Sequence, residues 1–91
     1  MSKYAEDVRK ILDDVILYED YEDDTNLIEE GILDSLMVVY LVSQLEEKYH
    51  IKIEGHFIVP EHFSSINRIA GFLKRLENGP QSELQTEFDG R

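Results

Sequence analysis

The residues best placed to do chemistry are a serine and the acid before it, in Gly31-Ile32-Leu33-Asp34-Ser35-Leu36. Asp34 and Ser35 are both types that begin helices, and the apolar spacing after them predicts one. A helix start gathers amide N–H groups with no helical partner at the positive end of the helix dipole. A phosphodiester attached to the Ser35 hydroxyl would gain from both. The plainer role is that of a helix cap, which serine fills well. His50, His56 and His62 lie far downstream of Ser35 and are read as surface or turn residues, so a nucleophile–base–orienter set is unsupported. Nor is there an acid–base pair or a Gly-rich phosphate loop, which leaves an enzyme a distant third among the functional classes.

The other group with chemical potential is the acidic run Glu19-Asp20-Tyr21-Glu22-Asp23-Asp24. It fails the calcium-loop pattern, whose sixth position is Gly, because counting from Asp20 the sixth residue is Thr25. A solvated acidic loop is the reading, with no metal assigned. Charge is uneven along the 91 residues: positions 1–50 hold 14 acids and 4 bases, positions 51–91 hold 6 acids and 5 bases, and the net is −11. Such a field repels nucleic acid and anionic membranes and favours basic protein partners, whose encounter it speeds in a salt-sensitive way. No Cys is present, which excludes a disulfide framework, Cys-ligated zinc and a cysteine nucleophile. No apolar run reaches the roughly 18 residues of a membrane span, and no signal-peptide core opens the chain. The compartment expected by default is the cytoplasm.

The elements that must position Ser35 follow from helical periodicity. Tyr4, Val8, Ile11, Leu12, Val15 and Ile16 predict a first helix over about 3–18, with Ser2 as its cap. Residues 19–34 then carry eight acids and no base, a long loop that must be pinned to stay ordered. Leu27, Ile28, Ile32 and Leu33 are the expected pins, and Thr25 could cap a short turn. A second helix begins at Asp34 or Ser35 and runs to about His50, burying Val38, Leu41, Val42, Leu45 and Tyr49. Ile51 to Val59 is extended or irregular, with Ile51 and Ile53 inward. Pro60-Glu61-His62-Phe63 predicts one helical turn. Ser64 or Ser65 caps a last helix with Ile66, Ile69, Ala70, Leu73 and Leu76 in its stripe, stopped by Asn78-Gly79-Pro80. The expected fold is all-α: a small four-helix bundle of three main antiparallel helices plus one short helix, with a long ordered loop between helices 1 and 2. Residues 1–78 form the domain, and residues 79–91 are expected to be a disordered tail. Met1 just before the first helix and this polar tail suggest a free-standing protein.

Leu36 to Val42 is a run of seven apolar residues, more than one buried face can use. Leu36, Met37, Val39 and Tyr40 fall outside the core stripe and are candidates for a docking face. Met37 and Tyr40 could instead pack against the loop, Ile58 or Phe63.

The segment Asn26-Leu27-Ile28-Glu29-Glu30-Gly31-Ile32-Leu33-Asp34-Ser35-Leu36 resembles the acyl and peptidyl carrier protein family. Its acidic, apolar-studded loop leads into that family's Asp-Ser-Leu signature. The close of the following helix, Leu45-Glu46-Glu47-Lys48-Tyr49, is similar to the family's, as are Ile51-Lys52-Ile53 and Pro60-Glu61-His62-Phe63-Ser64-Ser65-Ile66. The likeness spans about residues 4–77. It implies a carrier and not a catalyst: 4′-phosphopantetheine attached covalently to Ser35, with Asp34 and Leu36 helping to present that site. An acyl or aminoacyl group would ride on the arm as a thioester. The implied partners are a phosphopantetheinyl transferase, an adenylating enzyme that loads the acyl or aminoacyl group, and a downstream synthase or transferase, served by a monomeric carrier. Fatty-acid-type members have acids where Met37 and Tyr40 stand, which tilts the expectation towards an amino-acid-loading or specialised biosynthetic pathway. The competing reading is a small acidic helical interaction module with no prosthetic group. It accounts for the charge and the apolar surface, but not for a serine placed at a helix start after that loop.

Overall fold

The computed structural model describes residues 3–77, and within them every regular element is helical. Ser2, the Asn78-Gly79-Pro80 stop and the 79–91 tail lie outside the described residues. Helix α1 spans Lys3–Asp13, α2 spans Ser35–Tyr49, α3 spans Pro60–Phe63 and α4 spans Ile66–Glu77. A single 3-10 turn, Gly55–Phe57, interrupts the stretch expected to be irregular.

Helix α1 stops sooner than its apolar spacing suggests. Asp13 and Asp14 stand where the helix dipole is negative, an unfavourable place for acids. The chain tightens there into bonds from Asp14 N to Ile11 O and from Val15 N to Leu12 O. Ile16 still reaches the core, while Leu17 and Tyr18 emerge into solvent.

Hydrogen bonds from two tyrosine hydroxyls at one end of the bundle mark the helix directions. The Tyr4 hydroxyl donates to Glu77 at 2.9 Å, joining the start of α1 to the end of α4. The Tyr49 hydroxyl donates to Asp7, joining the start of α1 to the end of α2. Helix α1 is therefore antiparallel to both, and α2 and α4 run the same way. Their starts lie together at the opposite end, with the long loop.

The core lies between these helices and is lined by Val8 and Leu12 of α1, Leu41 and Leu45 of α2, and Ile66, Ile69, Phe72 and Leu73 of α4, all fully buried. Phe72 was missing from the expected stripe, although positions 69, 72, 73 and 76 keep helical spacing. Tyr49 and Ile51 are half-buried at the core's edge, whereas Ile53 is inside. At the close of α2, His50 adopts a left-handed conformation (φ 56°), and the amides of His50 and Ile51 both return to Glu46 O. The Glu46 carboxylate also accepts from Ile53 N at 2.8 Å, which fixes the path leaving the helix.

The long loop is pinned largely as expected. Leu27 is fully buried and Leu33 nearly so, with Ile28 and Ile32 half-buried beside them. Leu27 N donates to Ser64 O at 2.6 Å, and the amides of Ile32 and Leu33 both donate to Leu27 O. That reversal needs the positive φ of Gly31 (76°), which a residue without Cβ adopts freely. The short turn is capped by Asn26, whose side-chain oxygen accepts from Glu29 N; Thr25 instead accepts from Glu22 N, one turn earlier in the loop. Arg9 pairs with Asp23 at 2.7 Å and lies over the Tyr21 ring, giving the acids a fixed cation.

Candidate functional site

Two candidates compete to cap α2, and geometry decides between them. Asp34 is the cap: its backbone is extended, its Oδ1 accepts from Met37 N at 2.9 Å, and its carbonyl accepts from Val38 N at 3.0 Å. Ser35 is thus the first helical residue, exposed to solvent and relieved of the capping role. The N–H groups of Ser35 and Leu36 are among the four at a helix start that have no intrahelical acceptor. They face the same end of α2 as the hydroxyl. At this position a phosphodiester oxygen would meet amide donors and the positive dipole end together.

Beside Ser35 lies an apolar groove of about 290 Å³. Ile28 and Leu33 of the loop form one wall, Val38 and Val39 of α2 the floor, and Val59, Pro60 and Phe63 the far wall. Among the described residues, Asp34 is the one charged residue in its lining. The groove escapes a reading by periodicity because its walls come from three separate stretches. The sequence signal for it is the apolar triple Ile58-Val59-Pro60 in a non-helical stretch.

The expected docking residues divide in two. Leu36 is 76% exposed, Val39 62% and Tyr40 36%, so all three present apolar surface on the first turns of α2. Met37 is half-buried against the core, so its side chain helps to hold α2 down. Asp34, Ser35, Leu36, Val39 and Tyr40 therefore form one exposed surface with the groove at its edge.

None of the histidines lines the groove beside Ser35. His50 closes α2 at the opposite end and His56 sits on the 3-10 turn, both exposed as expected. His62 differs: it is half-buried, with its ring on Phe72. Burial holds its pKa below the ordinary value, helped by Arg75 and Arg68 and opposed by Glu61. Among the described residues, no cluster of His, Asp and Glu is gathered in a way that would hold a metal ion. None of the described helices is long and apolar enough to cross a membrane.

A family model of the phosphopantetheine attachment site matches residues 6–73, which include Asp34, Ser35 and the residues lining the groove. The chain belongs to the acyl and peptidyl carrier protein family. A D-alanyl carrier protein from Streptococcus uberis (strain ATCC BAA-854 / 0140J) is 36% identical over 73 residues, which cover 76% of this chain and 92% of that protein. No solved structure matches the chain. As a carrier, the protein holds acyl or aminoacyl groups on a covalent 4′-phosphopantetheine arm and delivers them to partner enzymes such as transferases and ligases. Carriers of this family are generally not catalysts. The residues present fit such a group: a solvent-facing serine, unpartnered amides beside it, and an apolar groove within reach. When bound, the group supplies a thiol to a chain that has no Cys.

Proposed function

We propose that Ser35 is the serine to which the arm is attached, that Asp34 and Leu36 present it, and that Leu36, Val39 and Tyr40 form the face on which partner enzymes dock, with Met37 holding α2 to the core beneath them. The observation that carries this reading is the position of Ser35, exposed at the first turn of α2 with Asp34 making the capping bond in its place. The chain itself performs no catalysis. It holds α2 rigid, keeps the hydroxyl in water and offers amide donors to a phosphodiester. The transferase brings the activation that the hydroxyl lacks.

The resemblance to a D-alanyl carrier protein supports an aminoacyl group, D-alanine, as the cargo. An adenylating enzyme would load it, and a downstream transferase or synthase would receive it. We place this work in the cytoplasm and assign it to a monomer whose carrier unit is residues 1–78. The tether raises the effective concentration of cargo at each enzyme without any new contact.

The test is an intact-mass measurement after incubation with coenzyme A, magnesium and a broad-specificity phosphopantetheinyl transferase. One phosphopantetheine is gained by the native chain and none by Ser35→Ala. A folded native chain that gains nothing would overturn the assignment and favour a non-covalent interaction module. Loading of the primed chain with D-alanine by a D-alanine-activating enzyme, compared with other amino acids, tests the cargo.

A further inference from the structure

Helix α3 is four residues long, far too short to keep its place by its own hydrogen bonds. Its two sides face different spaces. Pro60 and Phe63, with Val59 before them, wall the groove beside Ser35. Glu61 and His62 line a shallower groove whose other wall is α4, at Arg68, Gly71 and Arg75. The His62 ring lies nearly flat on Phe72, with centroids 4.7 Å apart and planes at 22°. Phe72 also touches Phe63 at 5.7 Å and Phe57 at 5.6 Å. One buried ring therefore anchors both sides of α3.

We infer that His62 is a positioning residue for the groove beside Ser35: as a neutral ring on Phe72 it holds α3 in place, and protonating it loosens α3 and reshapes the groove. The functional meaning of this device rests on Ser35 being the attachment site, but the structural coupling does not.

The charges facing His62 support that sign. Arg68 and Arg75 face it from α4, and Glu61 is its neighbour on α3. On the preceding 3-10 turn, the His56 ring lies against Phe57 with centroids 4.1 Å apart and planes tilted by 38°, and Phe57 in turn lies 6.2 Å from His62. A proton on His62 thus enters a partly buried site that already holds two guanidiniums, against one carboxylate. Burial is the largest cause of the lowered pKa, followed by Arg75. The sign follows by linkage. A state with His62 released binds the proton better, so the tie is complete above the free-imidazole value of about 6.5. It weakens as pH falls through the lower folded value.

Methyl and imidazole NMR on the unmodified chain, from about pH 7.5 to about pH 5, tests this across the range where imidazoles titrate. The His62 ring should titrate below its free value, and the methyls of Val38, Val39, Ile58 and Val59 should shift with the same midpoint. His62→Phe keeps the stack and removes the proton, so those methyl shifts should flatten while the melting temperature at neutral pH is held. His62→Gln loses the stack and should show the acid-form methyl shifts already at neutral pH. Groove methyls that ignore the His62 midpoint, or a His62→Phe variant that titrates like the native chain, would overturn the inference. Because no arm is needed, failure of priming at Ser35 would remove the attachment reading and leave this coupling standing.

Discussion

Replacing Asp34 separates the two tasks assigned to it. Its Oδ1 accepts from Met37 N at 2.9 Å, and the residue is exposed. Removing such a cap costs about 1 kcal/mol, within a range of about 0.5–2. In a domain of this size that is a fall of about 4–8 °C in melting temperature. Asp34→Ala should show this loss. Asp34→Asn keeps an acceptor oxygen and gives up only the charge–dipole attraction, about 0.3–1 kcal/mol at an exposed site. Its melting temperature should therefore lie between those of Asp34→Ala and the native chain. Priming should sort the variants differently. If the carboxylate helps present Ser35 to the transferase, the Asn variant primes more slowly than its stability would suggest. Circular-dichroism melts at neutral pH and initial rates of phosphopantetheine uptake measure both. An Asp34→Ala protein that melts with the native chain would refute the capping argument. An Asn variant that primes at the native rate would refute the role of the charge.

The docking face gives a second contrast. Leu36→Glu and Val39→Glu alter exposed positions and should change stability by no more than about 0.5 kcal/mol, yet slow thioester loading. Met37→Glu should lower the melting temperature as well, because that side chain packs on the core; equal melts for all three would place Met37 outside it. Among the described residues, the acids of residues 19–34 face one fixed cation, Arg9, so added salt or magnesium should raise the melting temperature, and a flat response would count against repulsion in the loop. Tyr21 is pushed up to about 12 by burial and by its bond to Asp13. A raised folded value means its contribution is complete below about pH 10, the unfolded value, and is lost as pH climbs towards the folded one. Absorbance of ionised tyrosine should show this phase absent from Tyr21→Phe.

What could be read from sequence was whatever repeats at helical spacing or rests on one residue's type. The core stripe of α2 is of the first kind, with Val38, Leu41, Val42 and Leu45 all buried. The loop pins Leu27 and Leu33 are of the second: large apolar residues in an acidic stretch have nowhere else to go. The end of α1 was misjudged because Val15 and Ile16 keep the spacing after the backbone has left the helix; Asp13 and Asp14 were the stop signal. Asp34 and Ser35 could not be ranked as caps, since both types suit the position and only the bond to Met37 decides. The groove shows in sequence only as the apolar triple Ile58-Val59-Pro60, because its walls join residues 28 and 63 and no local pattern records that meeting. The same holds for His62, whose stacking partner lies ten residues on, in another helix.

The groove and the acidic surface together sort what the carrier could shelter. The lining is apolar except for Asp34, whose Oδ1 is engaged by Met37 N. An ammonium drawn past the exposed Asp34 carboxylate, in among Ile28, Val38 and Phe63, would lose water with no partner, and burying an unpaired charge is strongly unfavourable. An aminoacyl cargo therefore keeps its charged end outside, where the field of the acidic first half favours a cation. A hydrocarbon cargo of modest size meets the opposite balance and gains from entering. The same site would thus present amino acids and partly hide acyl chains. That ordering suits an aminoacyl carrier whose loaded group must stay open to the next enzyme. Comparing hydrolysis of D-alanyl and hexanoyl thioesters on the primed chain tests it. Relative to the same thioesters on free pantetheine, protection should appear for hexanoyl alone, and equal protection of both would refute the sorting.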